Sequence, residues 1–450
     1  MLDKFLNIFR IPDLRNRVLF TLGVLAVYQL GRWIPTPGVS AEQIAQLANL
    51  DMFNLLSGGQ LTKFTIFALG IMPYITASII FQLLTVIYEP LAKLQKEGEL
   101  GRRKITQWTR YLTVILAVVQ SAALSITLLH LSGGVLALAV VTLTAGTAFI
   151  MWLGEQITDR GIGNGMSLLI FSGIVARIPD GVSEIADKVQ TQTWGPVTVL
   201  LILAMMVGVV AFIVFVERSE RRIPVQYAKR IVGRKLMGGQ STHLPLKVNS
   251  GGVMPVIFAG SILSIPMFFQ RASLFGYTFA DHSFFGWIFE NLRIGEPGYV
   301  LLYSIAIIFF AYFYISIVFR PDDIADNMRK YGGFIPGIRP GRRTSDFINN
   351  VLTRITLVGA VYLILISLIP MALISGIHFN HIWLLGEYFD RLPSWVNNGM
   401  GVTFYFGGTS LLIVVGVAMD TVNQVESQLI MRHYDGFTPK SGRIRGRKSW

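Results

Sequence analysis

Six histidines stand at His130, His243, His282, His378, His381 and His433, and only His378 and His381 lie close together. No carboxylate cluster accompanies that pair, so no metal site is expected from it. The chain has no cysteine, which removes disulfides, thiolate catalysis and cysteine-based metal sites at once. The patterns G-x-x-x-x-G-K-[ST], G-x-S-x-G and H-E-x-x-H are also missing. Gly161-Ile162-Gly163-Asn164-Gly165 is the Gly-rich loop of note, but it opens an apolar segment instead of following a strand. That is a poor setting for a phosphate cradle. It reads as a helix start with Asn164 near the cap, or as a polar spot lining a seam between helices. Catalytic residues and cofactors are not expected.

What remains to act is charge and apolar surface. The 450 residues are 52% hydrophobic and 14% charged, with a mean hydropathy of +0.54. Soluble domains of ordinary size cannot bury so much apolar surface, so the chain is an integral membrane protein. The net charge of +13 could suggest nucleic acid, but in a membrane protein the placement of the basic residues carries more information.

Windows of about 20 apolar residues place membrane segments near residues 18–34, 67–87, 112–131, 135–153, 165–178, 197–216, 252–269, 299–319, 355–374 and 402–419. Alternating connections then separate the charge: of 39 Lys and Arg residues, 7 fall in the odd-numbered connections and all others in the two tails and the even-numbered connections. The positive-inside rule puts both termini in the cytoplasm. The opening Met1 to Arg17 carries Lys4, Arg10, Arg15 and Arg17 and no small-residue cleavage site follows, so it reads as a cytoplasmic tail rather than a removed signal peptide.

The two longest basic connections are residues 217–249 and 320–354. The first holds Arg218, Arg221, Arg222, Lys229, Arg230, Arg234 and Lys235. Charge at anionic lipid would explain topology, but short loops would serve that equally well. A basic loop of this length projects into the cytoplasm and suits docking of an RNA-rich or acidic partner. The second holds Gly332-Gly333-Phe334-Ile335-Pro336-Gly337-Ile338-Arg339-Pro340-Gly341, a turn-rich tip.

The segment from Asn54 to Ile87 is a broken membrane segment. A short glycine-led stretch passes through Gly70-Ile71-Met72-Pro73 before the apolar run. Non-helical backbone at that depth is tolerated only against protein or a water-filled cavity. Gly70-Ile71-Met72-Pro73-Tyr74-Ile75 in the second span recurs as Gly252-Val253-Met254-Pro255-Val256-Ile257 in the seventh. The match falls on the second member of each group of five, and five is odd, so the second group crosses in the opposite sense. This predicts an all-α polytopic membrane protein of ten transmembrane helices in two inverted five-helix halves.

The span middles are nearly free of ionisable groups, since Arg32, Glu155, Arg354 and Asp420 sit toward span ends. Pumps and ion-coupled transporters usually keep acidic or histidine residues at mid-depth. This weighs against a five-plus-five secondary transporter, which shares the architecture, and a membrane-embedded enzyme would need a nucleophile, base or metal cluster. Mid-depth positions carry isoleucine instead, including Ile71, Ile75, Ile170, Ile257 and Ile413. Periodicity alone does not select these five, but a ring of them would resist water and ions by dewetting.

At Ser57-Gly58-Gly59 through Gln82-Leu83-Leu84, then Arg160 to Gly165, Gln240-Ser241-Thr242-His243-Leu244-Pro245-Leu246-Lys247, Pro336 to Gly341 and Gly407-Gly408-Thr409-Ser410, the chain closely resembles the bacterial SecY family. The likeness runs from the first span to the tenth. It implies the central subunit of a protein-conducting channel in the bacterial plasma (inner) membrane. Unfolded preproteins would cross it, and nascent membrane helices would leave through a lateral gate. It implies a pore ring at Ile71, Ile75, Ile170, Ile257 and Ile413. A plug half-helix would span about residues 55–63, with Leu55, Leu56, Ser57, Gly58, Gly59, Leu61 and Lys63. The lateral gate would lie between the second and third spans on one side and the seventh and eighth on the other, with Pro73 and Pro255 in it and Asn164 and Ser167 near the signal-sequence path.

Partner docking would fall on Arg221, Arg222, Lys229, Arg230, Arg339, Arg342 and Arg343. The implied partners are the SecE and SecG subunits, the SecA motor, the ribosome with its nascent chain, signal sequences and membrane lipids. The expected divisions are a tail at 1–17, an N-terminal half at 18–180, a hinge connection at 181–196, a C-terminal half at 197–421 and a tail at 422–450. The tail ending Gly442 to Trp450 departs from a family pattern that varies there.

Overall fold

A computed structural model describes residues 11–40, 64–127, 131–192, 194–227, 230–232, 235–237, 241–270, 273–274, 277–278, 296–375 and 408–435. The N-terminal half contains α1 (Pro12–Gly31), α2 (Met72–Ile87), α3 (Glu89–Lys96), α4 (Glu99–Thr127), α5 (Gly133–Arg160), α6 (Gly165–Val175) and α7 (Ile178–Gln190). The C-terminal half contains α8 (Pro196–Arg218), α9 (Met254–Gln270), α10 (Pro297–Val318), α11 (Pro321–Lys330), α12 (Arg342–Ser375) and α13 (Gly408–Asp435). Proline stands in the first turn of α1, α2, α3, α7, α8, α10 and α11. There its missing N–H has no helical partner to lose and its fixed φ suits the helix.

Each of the ten predicted windows overlaps a helix among the described residues. Among the described residues six helical stretches are long and apolar enough to cross a membrane, with α6 and α7 together forming one and α10 and α11 another. α2 and α3 form a broken pair bent by 101°. The bend falls at Tyr88, whose extended backbone precedes Pro90.

The inverted repeat is visible in the packing. α2 packs on α4, α4 on α5 and α5 on α6; in the other half α9 packs on α10, α10 on α12 and α12 on α13. α1 against α6 matches α8 against α13. The halves meet along two seams, α9 against α2 and α4, and α6 against α13. The main apolar core lies between them and draws on both halves.

Two features go beyond the sequence expectation. The connection at 181–196, expected as a hinge, is not plain coil, because most of it is α7. Ile178, Val182, Ile185 and Val189 recur at helical spacing along it. The helix ends at Gln190 with Thr191 as its cap, Gln192 beyond it takes a φ of 56°, and the Lys188 ammonium lies 4.7 Å over the Trp194 ring.

The two basic connections are not separate loops either. β1 (Glu220–Tyr227), β2 (Arg230–Val232), β3 (Lys235–Met237) and β4 (Ser241–Lys247) occupy the first. β5 (Ser273–Leu274) and β6 (Tyr277–Thr278) form a small hairpin after α9, and β7 (Gly333–Phe334) lies at the tip of the second connection. β1 is antiparallel to β4, from Glu220 opposite Lys247 to Gln226 opposite Ser241. β7 joins the other edge of β1, with Gln226 opposite Phe334 and Tyr227 opposite Gly333. Ile223, Leu246, Ile335, Ile348 and Leu352 form a core beneath this sheet, so the two connections are one folded unit seated on the start of α12.

Candidate functional site

Ile71 caps the start of α2, and Ile75 follows one turn later with its N–H donating to the Ile71 carbonyl at 3.0 Å. On α9 the Ile257 N–H donates to the Val253 carbonyl at 3.2 Å. Ile413 lies on α13 and Ile170 on α6. Ile71, Ile75, Ile257 and Ile413 are 3–9% exposed and share one apolar cluster, and Ile170 packs against it half-buried. The five residues expected for a ring, contributed by α2 and its cap, α6, α9 and α13, thus belong to or pack against one extended apolar core that draws on both halves. Aliphatic side chains held together leave little surface for water.

The repeat adds a residue that the sequence reading missed. Val253 occupies the position equivalent to Ile71, is buried, and belongs to the same cluster. A Cβ at Gly416 would lie 2.8 Å from Val253 Cγ1. Gly416 is three residues beyond Ile413 and so shares its helix face. The signal was available in the register of the repeat, which had been read for Gly, Met and Pro only.

Pro73 and Pro255 are buried in the first turns of α2 and α9, which pack together. The Ser261 hydroxyl donates to the Ile257 carbonyl at 2.8 Å and points to Met72 Sδ at 4.0 Å across that seam. Asn164 and Ser167 sit elsewhere, on α6, which packs against α1, α5 and α13. The Asn164 side chain accepts from the Met166 and Ser167 N–H groups at 3.1 and 3.4 Å, a helix N-cap as its position suggested. Gly165 here serves close approach, since a Cβ would lie 1.8 Å from the Gly154 carbonyl oxygen. The Gly-rich loop is thus a packed junction between α5 and α6.

Arg221, Arg222, Arg339, Arg342 and Arg343 are exposed on the folded unit built from the two basic connections. Arg222 pairs with Glu220 at 2.6 Å, while the Thr344 hydroxyl donates to the Arg339 carbonyl at 3.0 Å and shapes the tip. Gly337 and Gly341 adopt φ of 80° and 109° there, which glycine reaches without strain. Arg230 lies on β2. Lys229 and the predicted plug residues Leu55, Leu56, Ser57, Gly58, Gly59, Leu61 and Lys63 lie outside the described residues, as do His378 and His381.

Two inverted helical halves packed around one shared apolar core define a multi-pass membrane channel component rather than an enzyme. The family model for SecY matches residues 65–422. A protein translocase subunit SecY of Streptomyces galbus is 46% identical, over 97% of this chain and 100% of its own. The chain belongs to the SecY family, the channel-forming subunits of protein translocases. Among solved structures, one of a protein conducting channel superposes with a TM-score of 0.65 at 17% identity, covering 94% of this chain and 95% of the other. Sec61 in a canine ribosome-channel complex from the endoplasmic reticulum gives 0.62 at 16%, covering 94% and 95%.

Proposed function

We propose that Ile71, Ile75, Ile170, Ile257 and Ile413 form the constriction through which this channel passes unfolded preproteins, with Val253 beside them. The observation that carries this reading is their convergence from α2, α6, α9 and α13 into one apolar cluster. An aliphatic ring conforms to any passing side chain, whereas a selective site would need fixed polar contacts. Residues 55–63 act as the plug, and the seam between α2 and α4 on one side and α9 and α10 on the other is the lateral gate. Asn164 and Ser167 help shape the signal-sequence path from the α6 side.

The membrane is the bacterial plasma membrane, and both termini are cytoplasmic. This sidedness rests on the 7 of 39 basic residues that fall on the other side. The halves divide at the 181–196 hinge, which takes in α7 from residue 181 to its end at Gln190. SecE and SecG complete the assembly. Arg221, Arg222, Lys229, Arg230, Arg339, Arg342 and Arg343 dock the SecA motor or a translating ribosome, and the exposure of Arg221, Arg222, Arg339, Arg342 and Arg343 on one folded unit supports a shared docking surface. A ligand shifts an equilibrium only through its different affinity for the two states, so a signal sequence that prefers the open gate, driven by the docked partner, opens the channel.

Cysteines introduced at Ile75 and Ile257 test this in a chain that has none of its own. A stalled nascent preprotein should cross-link to both, and the absence of a cross-link at either position removes the constriction assignment.

A further inference from the structure

The two breaks that start α2 and α9 share a backbone but differ in what holds them. Gly70 donates its N–H to the Phe67 carbonyl at 2.8 Å, and Gly252 donates to the Asn249 carbonyl at 3.3 Å, so Phe67 and Asn249 are equivalent residues of the repeat. Phe67 is buried and apolar. Its ring stacks on Tyr28 at 5.8 Å and Phe149 at 6.2 Å, and Gly31 leaves it room, since a Cβ there would lie 2.0 Å from the ring. The first break is fixed by packing within its own half.

Asn249 is buried as well, at 4% exposure, but it is polar. Its side-chain amide donates to Glu217 Oε1 at 2.6 Å and to the Gly252 carbonyl at 3.1 Å. Glu217 lies on the last turn of α8, and two residues later the Ser219 carbonyl accepts from the Val248 N–H at 2.9 Å, extending the β1–β4 ladder to its root. On the other side α12 approaches closely, since a Cβ at Gly359 would lie 2.8 Å from the Val248 carbonyl oxygen. A buried amide making two hydrogen bonds fixes geometry, because losing either partner leaves a desolvated polar group unpaired.

We propose that Asn249 is a positioning residue that couples the cytoplasmic two-connection sheet to the constriction, by tying the Gly252 turn to Glu217 at the root of β1. Displacement of the sheet moves Glu217 and the β4 end together. Asn249 passes that movement to the start of α9, and Ile257 lies just over one turn beyond Gly252. Among the described residues the equivalent break in the first half shows no such link, so the second half is the responsive one. This rests on the constriction and docking roles proposed above.

The test uses the full chain assembled with its partner subunits in vesicles, carrying a single Ile257→Cys. Three quantities are read: affinity for the SecA motor, the change in thiol labelling at position 257 when the motor docks, and motor-driven export. Asn249→Ala should leave docking affinity unchanged while the labelling change and export fall about tenfold, an ordinary size for coupling between sites. Glu217→Ala removes the same bond from the other side and should behave alike, which covers the case in which Asn249→Ala does not accumulate. Glu217→Gln keeps an amide oxygen able to accept from Asn249 and should retain the response. Undiminished labelling change and export in Asn249→Ala or Glu217→Ala overturns the coupling, as does a Glu217→Gln variant as defective as Glu217→Ala. If Ile257→Cys alone shows no docking-dependent change although nascent chains cross-link there, the coupling is overturned and the constriction stands. Loss of that cross-link as well removes the constriction.

Discussion

Gly70 and Gly252 hold the same left-handed backbone, each with φ at 57°, and each lies two residues ahead of the Met-Pro pair that opens its helix. Matching turns at equivalent places in the two halves tie the repeat to a conformational need. The chain must leave a turn and start a helix at membrane depth, and glycine enters this region without the steric cost that a Cβ brings.

Substitution at Gly252 therefore tests the backbone alone, because a Cβ there meets nothing within 4 Å. Gly252→Ala should destabilise the purified protein by about 1–2 kcal/mol, the usual penalty for an L-residue in this region. Gly252→Asn should cost less, since asparagine visits it more readily. Thermal unfolding of the two variants in one detergent checks the order. An alanine variant as stable as the asparagine one would mean that the turn relaxes and that the glycine serves something else.

Ile413→Asn places an amide in the apolar cluster without a built partner. Burying it unpaired costs about 1–3 kcal/mol, and that cost is relieved if water enters. The closed state should lose stability relative to the open one. Ion leak through resting vesicles should rise, and preproteins with defective signal sequences should be exported more readily. Unchanged leak together with unchanged discrimination would remove Ile413 from the constriction.

Gly416 and Val253 provide a test of close packing between α13 and α9. Gly416→Ala would put a methyl 2.8 Å from Val253 Cγ1, an overpacking of the kind that costs about 1–3 kcal/mol. Val253→Ala removes the opposing methyls, so the double variant should be more stable than the sum of the single effects predicts. A coupling between about 0.5 and 3 kcal/mol is expected for residues in contact. Additive unfolding energies would show that the two do not meet.

The membrane architecture was legible because its causes are local. Long apolar runs, basic residues on one side and a Gly-x-Met-Pro break repeated in register each leave a mark in the chain. The proposed ring needed more, since Ile170 and Ile413 look like any other helix isoleucine until folding places them in one apolar core with Ile75 and Ile257. The three-stranded sheet is not legible in the sequence although β1 alternates, with Ile223 and Val225 buried between exposed residues. Charge at Arg221 and Arg222 obscured that period, and Pro224 argued against a strand. Pro224 is tolerated because β7 pairs β1 only at Gln226 and Tyr227, which leaves the strand an open edge where the proline lies. The pairing of residue 226 with residue 334 is a tertiary fact that neither segment announces.

Arg339 closes the set, because its backbone and side chain can be separated. The Thr344 hydroxyl holds the Arg339 carbonyl, and Gly337 and Gly341 set the turn on either side. None of these contacts uses the guanidinium, which is exposed. Arg339→Glu should therefore leave the tip folded and the chain normally inserted, while reversing charge where an acidic or RNA-rich partner would sit. Motor-driven export should fall, and the defect should deepen at low ionic strength, where repulsion reaches farther. Arg339→Ala should lie between the parent and the glutamate variant, because it loses attraction without adding repulsion. Equal export by all three variants would place the docking contact elsewhere on the sheet, with Arg221 and Arg222 the next residues to reverse.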